Sequence, residues 1–261
     1  MLLLLTKVNG LSAILPGEAI YGTAADNILL NFQFGDYSVT GRDNQNWLRM
    51  WRNDQIEFHQ DAVNPLLIRF WHSFSLKRES RIFVPMCGKS LDLLWLVNQG
   101  HEVIGVELSP LAVKSLFDES GIEPHVHRRK NFTEWEHGKL KILCGDFFGL
   151  KADDLGQIDA VYDRAALTAL PEQVRKRYVY HLRQILPSNC SIFLLTLEDA
   201  YREDGCSSNI GDIDDEISAL YGDHFKIQTT HTEKNCKPDP TFSGDTDTAS
   251  IHKVYRLSPK T

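Results

Sequence analysis

The chain has 261 residues, 42% of them hydrophobic and 24% charged, which is enough for a full core and ordinary for a soluble globular protein. The formal net charge is −7 and no long basic run occurs, which argues against duplex DNA or RNA as a main partner, because neutralising phosphates needs clustered Lys and Arg. The five cysteines (Cys87, Cys144, Cys190, Cys206 and Cys236) are odd in number and widely spaced, with no C-x-x-C. They suggest neither a zinc site nor a disulfide framework and are read as reduced thiols in the cytoplasm.

In chain order, "MLLLL" is too short for the apolar part of a secretory signal and has no basic residue before it, and no run approaches a membrane span. Residues 1–43 carry scattered Gly, Asn and Asp and are read as an N-terminal extension of unknown role, with "ILLNFQF" (28–34) as a candidate strand. Residues 44–261 read as one domain. "NWLRMWRNDQIEFHQ" (46–60) predicts a short helix and then a loop, with Trp47 and Trp51 on one helix face. "NPLLIRFWHSF" (64–74) predicts a helix capped by Asn64 with Pro65 at its first position.

An alternation then begins. Strands are predicted at "RIFVPM" (81–86), "EVIGVEL" (102–108), "KLKILCGDFF" (139–148), "IDAVYDRAAL" (158–167) and "SIFLLTLE" (191–198). Helices are predicted from Lys89 to Gly100, from Ser109 to Gly121, over 171–186 and over 212–222. "HVHRRK" (125–130) reads as a solvated basic loop. "HFKIQTTHTE" and "IHKVYRL" read as a closing pair of strands. This spacing predicts an α/β fold, a mostly parallel seven-stranded sheet with an antiparallel edge strand and helices on both faces.

"VPMCGKSLDLLWL" (84–96) contains a Gly-Lys-Ser, as phosphate-binding loops do. Such a loop needs a glycine five residues before the Gly of that triplet, and Phe83 stands there. The dinucleotide pattern G-x-G-x-x-G is also absent, because Gly88 is the turn's single glycine. What remains is a strand, a sharp turn at Met86-Cys87-Gly88 and a helix, a unit that brings backbone close to a ligand. In open α/β sheets ligands bind beyond the carboxyl ends of the strands, which selects this turn, Glu107, Gly145-Asp146-Phe147 and Tyr162-Asp163-Arg164. Glu107, nineteen residues after Gly88, is placed to accept both hydroxyls of a ribose. Asp146 is a candidate for an adenine amino group and Phe147 for stacking on the ring, a helix-cap or turn role being the plainer alternative for Asp146. These features point to an adenosine-type ligand without a triphosphate, and S-adenosylmethionine needs fewer glycines than a dinucleotide.

"WLRMWRNDQIEFHQ", "VPMCGKSLDLLWLVNQGHEVIGVELS", "CGDFF" and "YDRAALTALP" resemble the thiopurine S-methyltransferase family, especially its bacterial branch, over about residues 46–198 and again at "KVYRL". The resemblance implies a Rossmann-like methyltransferase fold and S-adenosyl-L-methionine as cofactor, with S-adenosyl-L-homocysteine as product. It implies that Trp51 packs on the cofactor beside Trp47, that Met86 lies by its methionine part, and that Gly88, Glu107, Asp146 and Phe147 hold the nucleoside. It places Arg164 where cofactor and acceptor meet, and Phe58 and His59 in a loop closing over the site. The implied acceptor is a small thiol or a related selenium or tellurium nucleophile, with Arg164 favouring its anionic form and His59 as candidate base. Plainer readings stand beside these: core packing for Trp47, Trp51 and Tyr162, a structural histidine at His59, and an Asp163 that pairs with Arg164 or caps a turn. The family's Gly-Pro-Pro-Phe segment is missing from "EDAYREDGCSSNIGDID" (198–214), and "TEKNCKPDPTFSGDTDTAS" (232–250) also departs from the family, so the acceptor stays open. The alternative function is a non-catalytic adenosine-ligand binding protein with an altered lid. A monomer without nucleic-acid or membrane partners is expected, and no metal.

Overall fold

The computed structural model describes residues 41–199, 213–238 and 247–260. The chain divides at Gln33/Phe34, and all described residues belong to the unit Phe34–Thr261. The candidate strand at 28–34 lies outside the described residues.

The first helix, α1 (Gly41–Arg52), begins earlier than the apolar pattern predicts. Helix α2 (Pro65–Phe70) starts as expected: Asn64 has extended backbone, and its side-chain oxygen accepts from the N–H groups of Leu66 at 2.9 Å and Leu67 at 3.4 Å. The helix predicted over 64–74 is split, since Trp71–Phe74 tighten into a 3₁₀ turn that ends at Ser75 in the left-handed region.

The alternating part follows as β1 (Arg81–Val84), α3 (Asp92–Asn98), β2 (Glu102–Glu107), α4 (Pro110–Glu119), β3 (His125–Arg128), β4 (Thr133–His137), β5 (Leu140–Cys144), α5 (Ala152–Leu155), β6 (Ala160–Arg164), α6 (Ala166–Ala169), α7 (Glu172–Ile185), β7 (Ser191–Asp199), α8 (Ile213–Tyr221), β8 (Phe225–Pro238) and β9 (Asp247–Pro259). Among the described residues these strands form one nine-stranded sheet, in the order β3-β4-β5-β2-β1-β6-β7-β9-β8. The central five strands, β5 to β7 in that order, are parallel. The central strands are apolar on both faces: Ile82, Phe83, Val103, Val106, Val161 and Ile192 are all buried. From β1 the chain winds outward through β2 to β5, then returns to β6 on the other side of β1. The reversal opens a crevice beyond the ends of β1 and β6, where a ligand belongs in such sheets.

Three expectations need correction. The sheet is larger than seven strands, and both of its flanks are antiparallel rather than one edge. "HVHRRK" is not a solvated loop throughout, since its first four residues form edge strand β3, paired antiparallel with β4. Strand β4 is held from beneath by Trp135, which is fully buried and stacks on Phe117 of α4 at 6.0 Å. Polar neighbours hide this single anchor from a search for apolar alternation. Finally, α3 starts at Asp92 and not at Lys89, because residues 87–91 are used by the turn. No helix among the described residues is long and apolar enough to cross a membrane.

Candidate active site

The turn after β1 carries two successive demands on the backbone. Met86 and Gly88 both have positive φ, 47° and 55°. A Cβ on Gly88 would sit 3.4 Å from the indole of Trp51, so α1 lies directly on the glycine. Beneath the turn, a Cβ on Gly105 would sit 2.7 Å from Cys87 Sγ and 2.7 Å from Ile142 Cδ1. Gly105 therefore lets the turn fold down on β2, a role that sequence reading missed. Burial and the nearby Glu107 carboxylate push the Cys87 thiol up, so it is an inert packing group.

Glu107 ends β2 and is 7% exposed. Its Oε2 accepts the N–H of Gly88 at 2.8 Å, and its Oε1 accepts the N–H of Ser109 at 2.7 Å. Burial raises its pKa, opposed by hydrogen bonds from the N–H groups of Ser109, Gly88 and Leu108. Ser109 in turn caps α4, as its sequence position predicts.

After β5, Asp146 caps a 3₁₀ turn (Phe147–Gly149): its Oδ1 accepts from Phe148 N at 3.0 Å, and its Oδ2 from Asn44 Nδ2 of α1 at 3.4 Å. Phe147 is mostly a core side chain, 3% exposed and packed on Tyr178 at 4.9 Å and Phe83 at 6.5 Å. Phe148, next along the same wall, is less buried and has the Arg177 guanidinium 4.4 Å from its ring centroid.

Strand β6 delivers Tyr162, Asp163 and Arg164, and side-chain alternation separates them. Asp163 points into the core, where it accepts from Tyr178 Oη at 2.7 Å and from Leu167 N at 3.4 Å. Burial pushes its carboxyl up to about 6. It caps the start of α6, as one sequence alternative had it, but it is not the partner of Arg164. That partner is Asp92, whose Oδ2 lies 3.2 Å from Arg164 Nε. Tyr162, read as packing, also donates its hydroxyl to Asp92 Oδ2 at 2.8 Å.

The loop after α1 closes the cleft with aromatic edges. Phe58 stands edge-on to Trp47 at 5.4 Å and to Trp51 at 5.6 Å, and is 40% exposed. His59 follows, with Nε2 3.7 Å from Asp61. Its pKa is lowered, first by burial and then by the Lys89 ammonium, so the ring is neutral at neutral pH. Lys89 of the Gly-Lys-Ser triplet holds Glu119 of α4 at 2.7 Å.

Trp47, Trp51, Phe58, His59, Met86, Gly88, Glu107, Asp146, Phe147 and Arg164 all line one cleft, together with Asn44, Lys89, Ser90, Phe148 and the α6 residues Ala166 and Ala169. Asn44 and Phe148 on this lining, and Asp92 against Arg164, are not singled out by the sequence pattern. Among the described residues no cluster of His, Cys, Asp or Glu could hold a metal ion. Of the divergent segments, 200–212 and 239–246 lie outside the described residues, and 232–238 and 247–250 form the paired far ends of β8 and β9.

A doubly wound sheet closed by an antiparallel C-terminal pair defines the Rossmann-like S-adenosylmethionine-dependent methyltransferases, and its cleft here has carboxylate and aromatic walls and no phosphate loop. The fold is similar to a methyltransferase of that kind from Anabaena variabilis (TM-score 0.57, 13% identity, covering 86% of this chain and 96% of that one). It is also similar to the 1,6-didemethyltoxoflavin-N1-methyltransferase of Burkholderia thailandensis, solved with S-adenosylhomocysteine (TM-score 0.53, 11% identity, covering 87% and 93%). The family model for thiopurine S-methyltransferase matches residues 42–260. Identity reaches 50% over 222 residues with the thiopurine S-methyltransferase of Stutzerimonas stutzeri (strain A1501), covering 85% of this chain and 93% of that one. It is 42% over 215 residues with that of Xanthomonas campestris pv. campestris (strain 8004), covering 82% and 98%. The chain belongs to the thiopurine S-methyltransferase family, whose members are S-adenosylmethionine-dependent enzymes.

Proposed function

We propose that this enzyme methylates the sulfur of a small thiol, of thiopurine type, or a related soft selenium or tellurium nucleophile, in the cytoplasm. The observation that carries the reading is Arg164, a guanidinium at the end of β6 that faces the cleft between the β1 turn and α6. The donor set fits the cofactor. Glu107 offers a carboxylate to ribose hydroxyls beside a glycine turn, and Asp146 with the Phe147-Phe148 pair forms a polar and aromatic wall for adenine. Met86 gives the methionine part a soft neighbour, and Trp51 covers the turn from above. S-adenosylmethionine, when bound, supplies an activated methyl group on a sulfonium, so the chain's task is mainly alignment and exclusion of water.

The chain's own residues then divide the work. The nucleophile is the thiolate, and Arg164 favours that form by placing positive charge beside the sulfur. An acceptor of low pKa needs no base. An ordinary thiol gives its proton to His59, which is neutral at working pH and therefore able to take it. Trp47, Trp51 and Phe58 close the mouth.

The test is release of S-adenosylhomocysteine from a panel of aromatic, heteroaromatic and aliphatic thiols, with a selenol as the selenium arm. Turnover with the aromatic and heteroaromatic thiols is expected, and His59→Gln should slow only the ordinary thiols. Tight cofactor binding without turnover on any of them would instead identify a non-catalytic binding protein.

A further inference from the structure

We propose that Asp92 is a positioning residue for Arg164: it holds the guanidinium by Nε so that the two terminal nitrogens stay turned to the cleft. The inference rests on the reading of Arg164 given above and adds the device that aims it.

Asp92 is 1% exposed. A carboxylate that deep in a fold stays charged only if donors and a countercharge surround it. Both are present around Asp92. Oδ1 accepts the N–H of Asn64 at 2.7 Å, Oδ2 accepts the Tyr162 hydroxyl at 2.8 Å, and Arg164 Nε lies 3.2 Å from Oδ2. The two neutral donors come from different elements, the start of α2 and the middle of β6, so they fix the plane of the carboxylate before the arginine meets it. Tyr162 and Arg164 are two apart on β6 and share one face, which sends both to the same carboxylate and sends Asp163 to the other side.

The geometry at Arg164 is selective. Nε makes the closest approach to the carboxylate, an ion pair at 3.2 Å. Nη2 has a long contact, 3.5 Å, with Ser90 Oγ, and Nη1 has no protein partner among the described residues. A guanidinium anchored in this way keeps its outer edge for a ligand carboxylate or thiolate. Lysine keeps the charge on one compact ammonium but lacks the planar fork that holds one nitrogen on Asp92 while presenting others to the cleft.

Two ligands separate aiming from general support. S-adenosylhomocysteine carries the amino-acid carboxylate that Arg164 would meet, and 5′-methylthioadenosine lacks it. By calorimetry, Asp92→Asn should weaken S-adenosylhomocysteine by about tenfold or more, the scale of one charge-assisted hydrogen bond, while leaving 5′-methylthioadenosine within about twofold. Arg164→Ala should show the same selectivity, and adding Asp92→Asn to it should cause no further loss. Tyr162→Phe, which keeps the ring in place and removes one donor to Asp92, should act in the same selective direction more weakly, and it serves if Asp92→Asn does not fold. Equal losses for both ligands, additive losses, or no loss would each overturn the proposal. If Arg164→Ala spares S-adenosylhomocysteine, the ligand role of Arg164 fails instead. The aiming is then decided by the Arg164 Nε–H resonance, which should shift and exchange faster in Asp92→Asn; an unmoved resonance refutes it.

Discussion

The N–H of Gly88 and the carboxylate of Glu107 are joined at 2.8 Å, so the residue proposed for the ribose also organises the turn that faces it. Loss of this acid therefore removes a ligand contact and a backbone anchor together. Glu107→Ala should weaken S-adenosylhomocysteine binding by about 1.5–3 kcal/mol, the range for hydrogen bonds to a charged group. Glu107→Gln keeps one acceptor and should lose less. Unchanged affinity by calorimetry in the alanine variant would remove Glu107 from the site.

Arg164→Ala should displace the pH profile of kcat/KM for an ordinary thiol to higher pH, because the acceptor then ionises without a neighbouring cation. A thiol already ionised at neutral pH should show a smaller displacement. Arg164→Lys should restore only part of the activity, since the charge is kept but the planar fork is lost. Equal losses for both thiols with no displacement would leave Arg164 as a loop or cofactor anchor alone.

Asp163 makes the fold itself pH-dependent. Burial raises its folded pKa from 3.8 to about 6, so between those values the folded state holds the proton and the unfolded chain releases it. The contribution is fully present below 3.8 and is lost as pH rises past about 6. Asp163→Asn keeps an acceptor for Tyr178 and has no charge to bury. Wild type should therefore lose stability relative to this variant between pH 4 and 7, by an amount on the order of 2–3 kcal/mol. Paired urea titrations at the two pH values read the difference, and a constant difference would show that Asp163 does not titrate in that window.

The division of the chain is a proposal that truncation tests. A chain beginning at Phe34 retains α1 and should keep its fold and its affinity for S-adenosylhomocysteine. One beginning at Asn53 lacks Trp47 and Trp51 and should fold with weakened binding. Insolubility of the longer form would make residues 1–33 part of the core.

What could be read from the chain was local. Asn64 before Pro65 and Ser109 before Pro110 announce helix starts, because a cap acts on N–H groups two or three residues away. The strand-end positions of Glu107 and Arg164 follow from alternation and the crevice rule. Asp92 was illegible for the opposite reason. In the sequence it is one acid in an apolar helix, and its meaning comes from Tyr162, seventy residues on, and from Arg164 beyond it. Strand β4 was hidden likewise, since Glu134 is buried between Lys141 and Arg129 and breaks the apolar pattern that marks a strand. Phe147 looks in sequence like the stacking aromatic, yet the fold commits most of its ring to the core.

Four of the five tryptophans fall into two environments, and the fifth, Trp95, is half-buried on α3 beside the ring of His72. Trp47 and Trp51 meet at the mouth of the cleft around Phe58, whereas Trp71 and Trp135 are 3% and 1% exposed in the interior. The protein thus carries its own optical reporter: a ligand that settles on Gly88 changes the surroundings of the first pair, and the other three supply a steady background. Fluorescence emission should respond to S-adenosylhomocysteine in the wild type and much less in Trp51→Phe, so closure over the turn can be followed in time without a label.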